Sequence, residues 1–438
     1  MSQKVVIVGS GVFGMSTALW MLEERPGKYN VTILEKCETV PAPDAASTDI
    51  NKIVRAGDYE DPALAKLSVD AVKFWKRPDW EGTYHESGVM CLAGDDPAGR
   101  AYVDGSMNNC IAMDLGPTRI ETPEEIKKHF PAGLKTGAFP QRTGYFNKQG
   151  GWAEAARAIE VGHKRILAAG GVIRGGCEAV SFQKTGKKVT GVVLKSGEVV
   201  TADLVLVAAG AWTPSLLASP SISCFLPPVV ATGQVVAMIK LTPEEYNIQT
   251  QAPVVFNLDD GYYIFPPTKD RIVKMAIHGA GYTNTVAHGG KVSVPRTKLT
   301  PGAENGAIPV EAVRKIRQHL ADHYPELAKK PFVDTRLCWY CDTVTGDWLI
   351  DYHPDYENLV IATGGSGHAF KFAPNIGREI LAIIERNGDA EFRDRFSFSP
   401  SENVGADVRN GVRKEIVVND LATTTDLLPG AGRTAGRL

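Results

Sequence analysis

The chain has 438 residues, a formal net charge of −2 and no long run of Lys or Arg, which excludes a nucleic-acid footprint or a polybasic membrane anchor and leaves small-molecule chemistry. Its length exceeds what one core usually supports, so two domains are expected, and its longest apolar runs fall short of the roughly 20 residues needed to span a bilayer. Seven cysteines, at 37, 91, 110, 177, 224, 338 and 341, are odd in number and scattered, which argues against a disulfide framework.

The N-terminus carries Lys4 and then an apolar run that ends at once in glycines. It lacks the long apolar region and cleavage site of a signal peptide, so a cytosolic start is expected. Lys4 to Val8 is β-branched, Gly9-Ser-Gly-Val-Phe-Gly14 follows, a helical pattern runs through Leu22, and Val31 to Glu35 reads as a second strand. Strand, tight turn, helix and strand make a parallel βαβ start, and the free N–H groups at the helix N-terminus suit a pyrophosphate. Gly9 permits the turn, Gly11 lets phosphate approach, and Gly14 lets helix and strand pack closely. Glu35 ends the second strand, where a carboxylate accepts from a ribose 2′-hydroxyl, so NAD or FAD fits better than NADP.

A second α/β segment begins near Gly150 with a helix predicted to about Ala169, then Val172-Ile173, strands with turns at Thr185-Gly186 and Ser196-Gly197, and a buried-type strand from Leu204 to Ala208 leading into Gly210 and Trp212. A third runs from Asn358 through a glycine loop to His368, with a helix predicted from about Phe370 to Glu385. Between them, two stretches are richer in proline, aromatics and amphipathic strands. The predicted organisation is a dinucleotide domain in three pieces (1–80, 146–215, 336–400), a substrate domain in two (81–145, 216–335) and an arm or tail over 401–438. The last three residues, Gly436-Arg437-Leu438, share a basic residue before a final leucine with the SKL-type peroxisomal address but depart from it at Gly436, so cytoplasm and peroxisome both stay open.

With GSGVFG and Glu35 in place, the stretches Thr48 to Arg55, Lys274 within Ile-Val-Lys-Met, Arg336-Leu-Cys-Trp-Tyr340 and Gly364 to Phe372 resemble, in the same order, the flavin-dependent amine oxidases of the monomeric sarcosine oxidase family, which includes pipecolate oxidases, saccharopine oxidases and amadoriases. The resemblance implies an α/β fold, α+β overall: a Rossmann-like FAD-binding domain with an inserted, mainly antiparallel-sheet substrate domain, of the D-amino acid oxidase and sarcosine oxidase kind. It implies FAD contacts at Gly9, Gly11, Val12, Phe13, Gly14, Glu35, Lys36, Ser47, Thr48, Lys52, Gly210, Trp212, Gly365, Gly367, His368 and Lys371. It also implies a covalent bond from Cys338 to the flavin 8α-methyl. Cys341 has no matching role. Cys338-Trp-Tyr-Cys341 does not open a helix in a thioredoxin-type unit and has no second CxxC or HxxxH to complete a zinc site, so no metal is expected. A flavin tether and an inert buried thiol remain for Cys338.

The residues implied in catalysis are Lys274, for oxygen reduction, with Lys371, Tyr340 and His278. Those implied at the substrate are Lys52, Arg55 and Lys371, with Arg55 and Lys371 suited to a carboxylate, and the neighbouring Tyr262 and Tyr263 are further candidates to line the pocket. Amadoriases carry a glutamate at the position of His278, which puts a fructosyl substrate in doubt. Asp49, Asn51 and Lys52 lean toward the amadoriase and saccharopine oxidase branch, whereas Arg55 and His278 lean toward sarcosine-like recognition. The expected activity is oxidation of the C–N bond of a secondary amino acid of saccharopine, pipecolate or N-methyl type to an imine, with O2 reduced to H2O2, by a monomer or small homo-oligomer. The alternatives are a fructosyl amino acid oxidase, a biosynthetic oxidase of an N-methylated intermediate, a flavin dehydrogenase and a non-catalytic FAD-binding protein.

Overall fold

The computed structural model describes residues 2–218, 229–287, 291–399 and 412–430. Cys224 and Gly436-Arg437-Leu438 lie outside the described residues.

The β-branched strands Gln3–Val8, Tyr29–Leu34 and Leu204–Val207 form the centre of a six-stranded sheet. Its order is Leu349–Tyr352, Leu359–Thr363, Leu204–Val207, Gln3–Val8, Tyr29–Leu34, Val172–Arg174, and the pair formed by Leu349–Tyr352 is antiparallel while the others are parallel. Alternation of side chains sends Val5 and Ile7 toward helices Val12–Glu24, Ala155–Ala168 and Ile376–Ile384, and Val6 and Val8 toward a three-stranded antiparallel layer, Ala179–Thr185, Lys188–Leu194 and Val199–Thr201.

The second sheet has ten strands, drawn from residues 89–147, 229–287, 334–343 and 414–415. Strand Asp334–Thr343 pairs antiparallel with Val229–Lys240 from Val229↔Thr343 to Met238↔Asp334, so a domain boundary at 336 cuts a strand of this sheet. A boundary at 146 likewise falls inside Thr143–Asn147. One face is covered by helix Val310–His323, and the opposite face holds Cys338, Tyr340, Tyr263 and Ala276 in a separate cluster. Residues 412–430 form a docked arm. Lys414–Glu415 pairs parallel with Tyr282–Thr283, and the Leu427 carbonyl accepts from Phe332 N at 3.0 Å and from Arg317 Nη2 at 2.8 Å.

Two predicted helices are shorter than the sequence pattern suggests. Gly151–Ala153 is a strand paired with Lys52–Val54, so the helix starts at Ala155. Pro374, which has no N–H, separates the 3-10 turn Phe370–Phe372 from helix Ile376–Ile384. Among the described residues, no helix is long and apolar enough to cross a membrane.

Candidate active site

A cavity of about 610 Å³ runs from the first βα turn toward the second sheet. Gly9, Gly11, Val12, Phe13, Glu35, Lys36, Ser47, Lys52, Gly210, Trp212, Tyr340, Gly365 and Gly367 line it. Gly9 has φ +107°, and a Cβ there would lie 2.4 Å from the Ala208 carbonyl oxygen, a position only glycine fills without strain. Gly14 serves packing instead: a Cβ would lie 2.0 Å from the Gly9 carbonyl oxygen. Glu35 accepts from Ser10 N at 3.1 Å and Ser10 Oγ at 2.7 Å, and Cys37 N donates to its other oxygen at 3.2 Å. Helix Val12–Glu24 opens on Gly11 without a side-chain cap, leaving its first N–H groups to a ligand. Lys36 Nζ lies 5.4 Å from the Trp212 ring centroid across the same cavity. This donor set fits a dinucleotide, with pyrophosphate at the helix start and a ribose diol on Glu35.

Beyond the far end lies a buried charge cluster. Lys274 is fully buried and donates to Asp49 Oδ2 at 2.8 Å and to the Asn51 carbonyl. Lys52 Nζ stands 3.3 Å from the same Asp49 oxygen and 3.4 Å from Cys338 Sγ. Burial lowers the Lys274 pKa, and with Lys52 nearby outweighs the pull of Asp49, bringing it to about 8. Burial works against charge on Lys52 and Asp49 too. The Cys338 sulfur and Asp49 nevertheless raise Lys52 above the usual lysine range, while Lys274, Lys52 and Arg336 hold Asp49 far below that of a carboxylate. Both polar side-chain atoms of buried Asn51 lack a partner among the described residues.

A second cationic group surrounds loop Gly364 to Phe372. The Arg55 guanidinium lies 4.4 Å, and Lys371 Nζ 5.3 Å, from the Tyr59 ring centroid. Arg55 Nη1 donates to the Asp58 carbonyl at 2.7 Å and to Tyr102 Oη at 3.4 Å, and Lys371 Nζ to the His368 carbonyl at 2.6 Å. Neither cation forms an ion pair among the described residues. Burial, reinforced by Arg55, pushes the Lys371 pKa well below that of an ordinary lysine. Gly367 has φ +74°, and a Cβ there would approach Tyr340 Cε2 to 2.4 Å and His278 Cε1 to 2.6 Å, so His278 and Tyr340 crowd the loop carrying Lys371.

Some residues expected at the site stand elsewhere. Tyr262 points to the helix-covered face, stacked on His319 at 5.0 Å, because neighbouring strand residues face opposite ways; Tyr263 faces the charge cluster instead, where burial and Cys338 outweigh Lys52 and raise its pKa to about 12. The Thr48 hydroxyl closes its own turn on the Ala42 and Ala45 carbonyls. His368 sits behind the loop, stacked on Trp348 with centroids 5.4 Å apart and bonded through Nε2 to the Gly346 carbonyl at 2.9 Å. Cys341, given no role on the sequence, lines the cavity; Thr363 Oγ1 donates to its sulfur at 3.2 Å, and burial raises its pKa to about 12. Asp58, Tyr59 and Tyr102 stand at this candidate site without having been named from the sequence, and Asp49 was named there only as a mark of one branch. Asp49 and Tyr59 flank the Lys52 to Arg55 stretch, and that adjacency was the available signal.

The family model for FAD dependent oxidoreductases (DAO) matches residues 4–383. The chain is 29% identical to L-saccharopine oxidase of Schizosaccharomyces pombe, over 97% of this chain and 100% of that protein. It is 27% identical to amino acid oxidase imqH of Aspergillus flavus, over 92% and 95%. The structure superposes on the deglycating fructosamine oxidase (Amadoriase II) of Aspergillus fumigatus in complex with FSA with a TM-score of 0.82 and 27% identity, covering 96% of this chain and 97% of that one. With the glycine turn, Glu35 and the paired sheets, these matches establish the chain as a member of the FAD dependent oxidoreductase family.

Proposed function

We propose that the enzyme oxidises the C–N bond of a secondary amino acid, of saccharopine, pipecolate or N-methyl type, to an imine, with dioxygen reduced to hydrogen peroxide. The observation that carries this reading is the pair Arg55 and Lys371, a buried guanidinium and a buried amine whose charge a bound carboxylate would restore, with no carboxylate partner among the described residues and set on one tyrosine ring. Unpaired buried charge is costly unless a ligand completes it, and a guanidinium fork beside an ammonium suits an amino acid carboxylate. The same cations disfavour a protonated substrate amine, so the reactive neutral amine binds beside His278 and Tyr340.

FAD, held by Gly9 to Gly14, Glu35, Lys36, Ser47 and the loop at Gly365 and Gly367, supplies the two-electron acceptor and its reoxidation by oxygen. Lys274, fixed by Asp49, offers a buried cation where negative charge develops on oxygen. Cys338 would carry the flavin through its 8α carbon, and Lys52 Nζ stands 3.4 Å from its sulfur. A fructosyl amino acid oxidase is the second reading, favoured by the amadoriase-like structure and disfavoured by His278. A peroxide-coupled assay under air with sarcosine, pipecolate, saccharopine, N-methyl amino acids and fructosyl-lysine tests both. Turnover of a secondary amino acid supports the first reading, and turnover of fructosyl-lysine alone contradicts it.

A further inference from the structure

Arg55 follows the short strand Lys52–Val54 and is presented by a turn over residues 56–60. The Asp58 backbone carbonyl takes the guanidinium at 2.7 Å, while its side chain points the other way, into the antiparallel half. There Oδ1 accepts from Asn147 Nδ2 at 2.8 Å, Tyr145 Oη at 3.0 Å and Cys110 Sγ at 3.4 Å. Asn147 Nδ2 also reaches the Ala56 carbonyl at 2.7 Å, and Ser68 Oγ accepts from Gly57 N at 2.8 Å. Asn147 and Tyr145 belong to strand Thr143–Asn147 and Cys110 to helix Pro97–Ala112, and Tyr102 of that helix touches Arg55. Asn109 of the same helix holds the Tyr59 and Glu60 carbonyls at 2.8 Å each, so the Asp58 carboxyl shares with Asn147 and Asn109 the work of pinning this segment to the substrate half, and it is the group that holds the residue whose carbonyl meets Arg55.

We propose that Asp58 is a positioning residue for Arg55: its side chain, held by Tyr145 and Asn147, fixes the carbonyl that aims the guanidinium at the substrate carboxylate. This rests on the carboxylate reading above. No ion pair joins the Asp58 carboxyl to Arg55 among the described residues. Burial raises that carboxyl above its usual range, opposed by Asn147 and Arg55, so its work is hydrogen bonding and not neutralisation of the guanidinium. The other oxygen, Oδ2, has no partner among the described residues, so an amide nitrogen fits there and Asp58→Asn keeps the pin.

The test titrates picolinate, a ring carboxylate, and picolinamide, its neutral analogue, into flavin-loaded protein and follows the flavin absorbance. Wild type should bind picolinate more tightly. Asp58→Ala should lower the picolinate-to-picolinamide affinity ratio at least tenfold and Asp58→Asn less than threefold. Tyr145→Phe removes one donor without opening a hole and should lower it about threefold; it decides the matter where Asp58→Ala does not load flavin. General loosening of the fold would weaken both ligands alike, so an unchanged ratio overturns the proposal. Arg55→Met separates the two levels. If it collapses the ratio while the Asp58 and Tyr145 variants keep it, only the positioning role falls. If wild type shows no preference, or Arg55→Met keeps it, the carboxylate reading itself falls.

Discussion

Replacing Arg55 by Met should cost catalysis and spare the fold. In the free protein Arg55 is 5% exposed, and its guanidinium has a carbonyl at 2.7 Å and a hydroxyl at 3.4 Å as partners, with Nε unpartnered among the described residues. Removing it gives up two hydrogen bonds, together worth about 1–2 kcal/mol, and a cation–π contact of about 1 kcal/mol, and relieves an unsatisfied buried group costing about 1–3 kcal/mol. These nearly cancel. With a carboxylate bound, truncating one side of a buried charge pair costs about 2–5 kcal/mol, roughly 30- to 4,000-fold in kcat/KM at about 1.4 kcal/mol per tenfold. Peroxide-coupled kinetics on an amino acid substrate and on its carboxamide, with a thermal melt of the flavin-loaded protein, measure both sides. The acid should slow by that factor, the amide far less, and Tm should stay within a few degrees. A Tm many degrees lower, with acid and amide slowed equally, would refute the reasoning and make Arg55 a structural residue.

Acid-precipitated wild type should stay yellow, Cys338→Ser should release its flavin, and Cys341→Ser should retain it; release from Cys341→Ser would move the link to the cysteine that lines the cavity. Lys274 titrates near 8 against an ordinary 10.5, so its cation is present below about pH 8 and lost above. The rate constant for reaction with oxygen should be flat on the acid side and fall about tenfold per unit on the alkaline side. Stopped-flow reoxidation of Lys274→Met should be slow at every pH, and an inflection persisting there would assign it elsewhere. Tyr262→Phe removes a buried hydroxyl that has no partner among the described residues, so Tm should hold or rise and KM should not move; a raised KM would return Tyr262 to the site.

What was legible in the sequence is local. The GSGVFG turn, its helix and Glu35 are one continuous pattern, and period and spacing suffice to read them. Lys274 was harder. Its strand alternates like an exposed one, and its burial comes from pairing in a sheet whose polar-bearing face meets the other half of the molecule. The choice between Tyr262 and Tyr263 turns on strand parity, and both faces of that strand are buried, so composition cannot orient it. Asp58 is invisible for another reason: its partners, Asn147 and Tyr145, come from a strand far along the chain, and nothing in residues 56–60 announces them. The domain boundary near 336 fails in the same way, because strand Asp334–Thr343 takes its pairing from Val229–Lys240.

The central claim is that a secondary amino acid is oxidised here with oxygen as acceptor. Mixing flavin-loaded protein anaerobically with pipecolate, sarcosine or saccharopine, then admitting air, tests it most directly. At least one of them should bleach the flavin without oxygen, colour should return with air, and one peroxide should form per amine consumed. Bleaching by fructosyl-lysine alone, or by none of these amines, would contradict the substrate assignment, and bleaching that air does not reverse would contradict the oxidase.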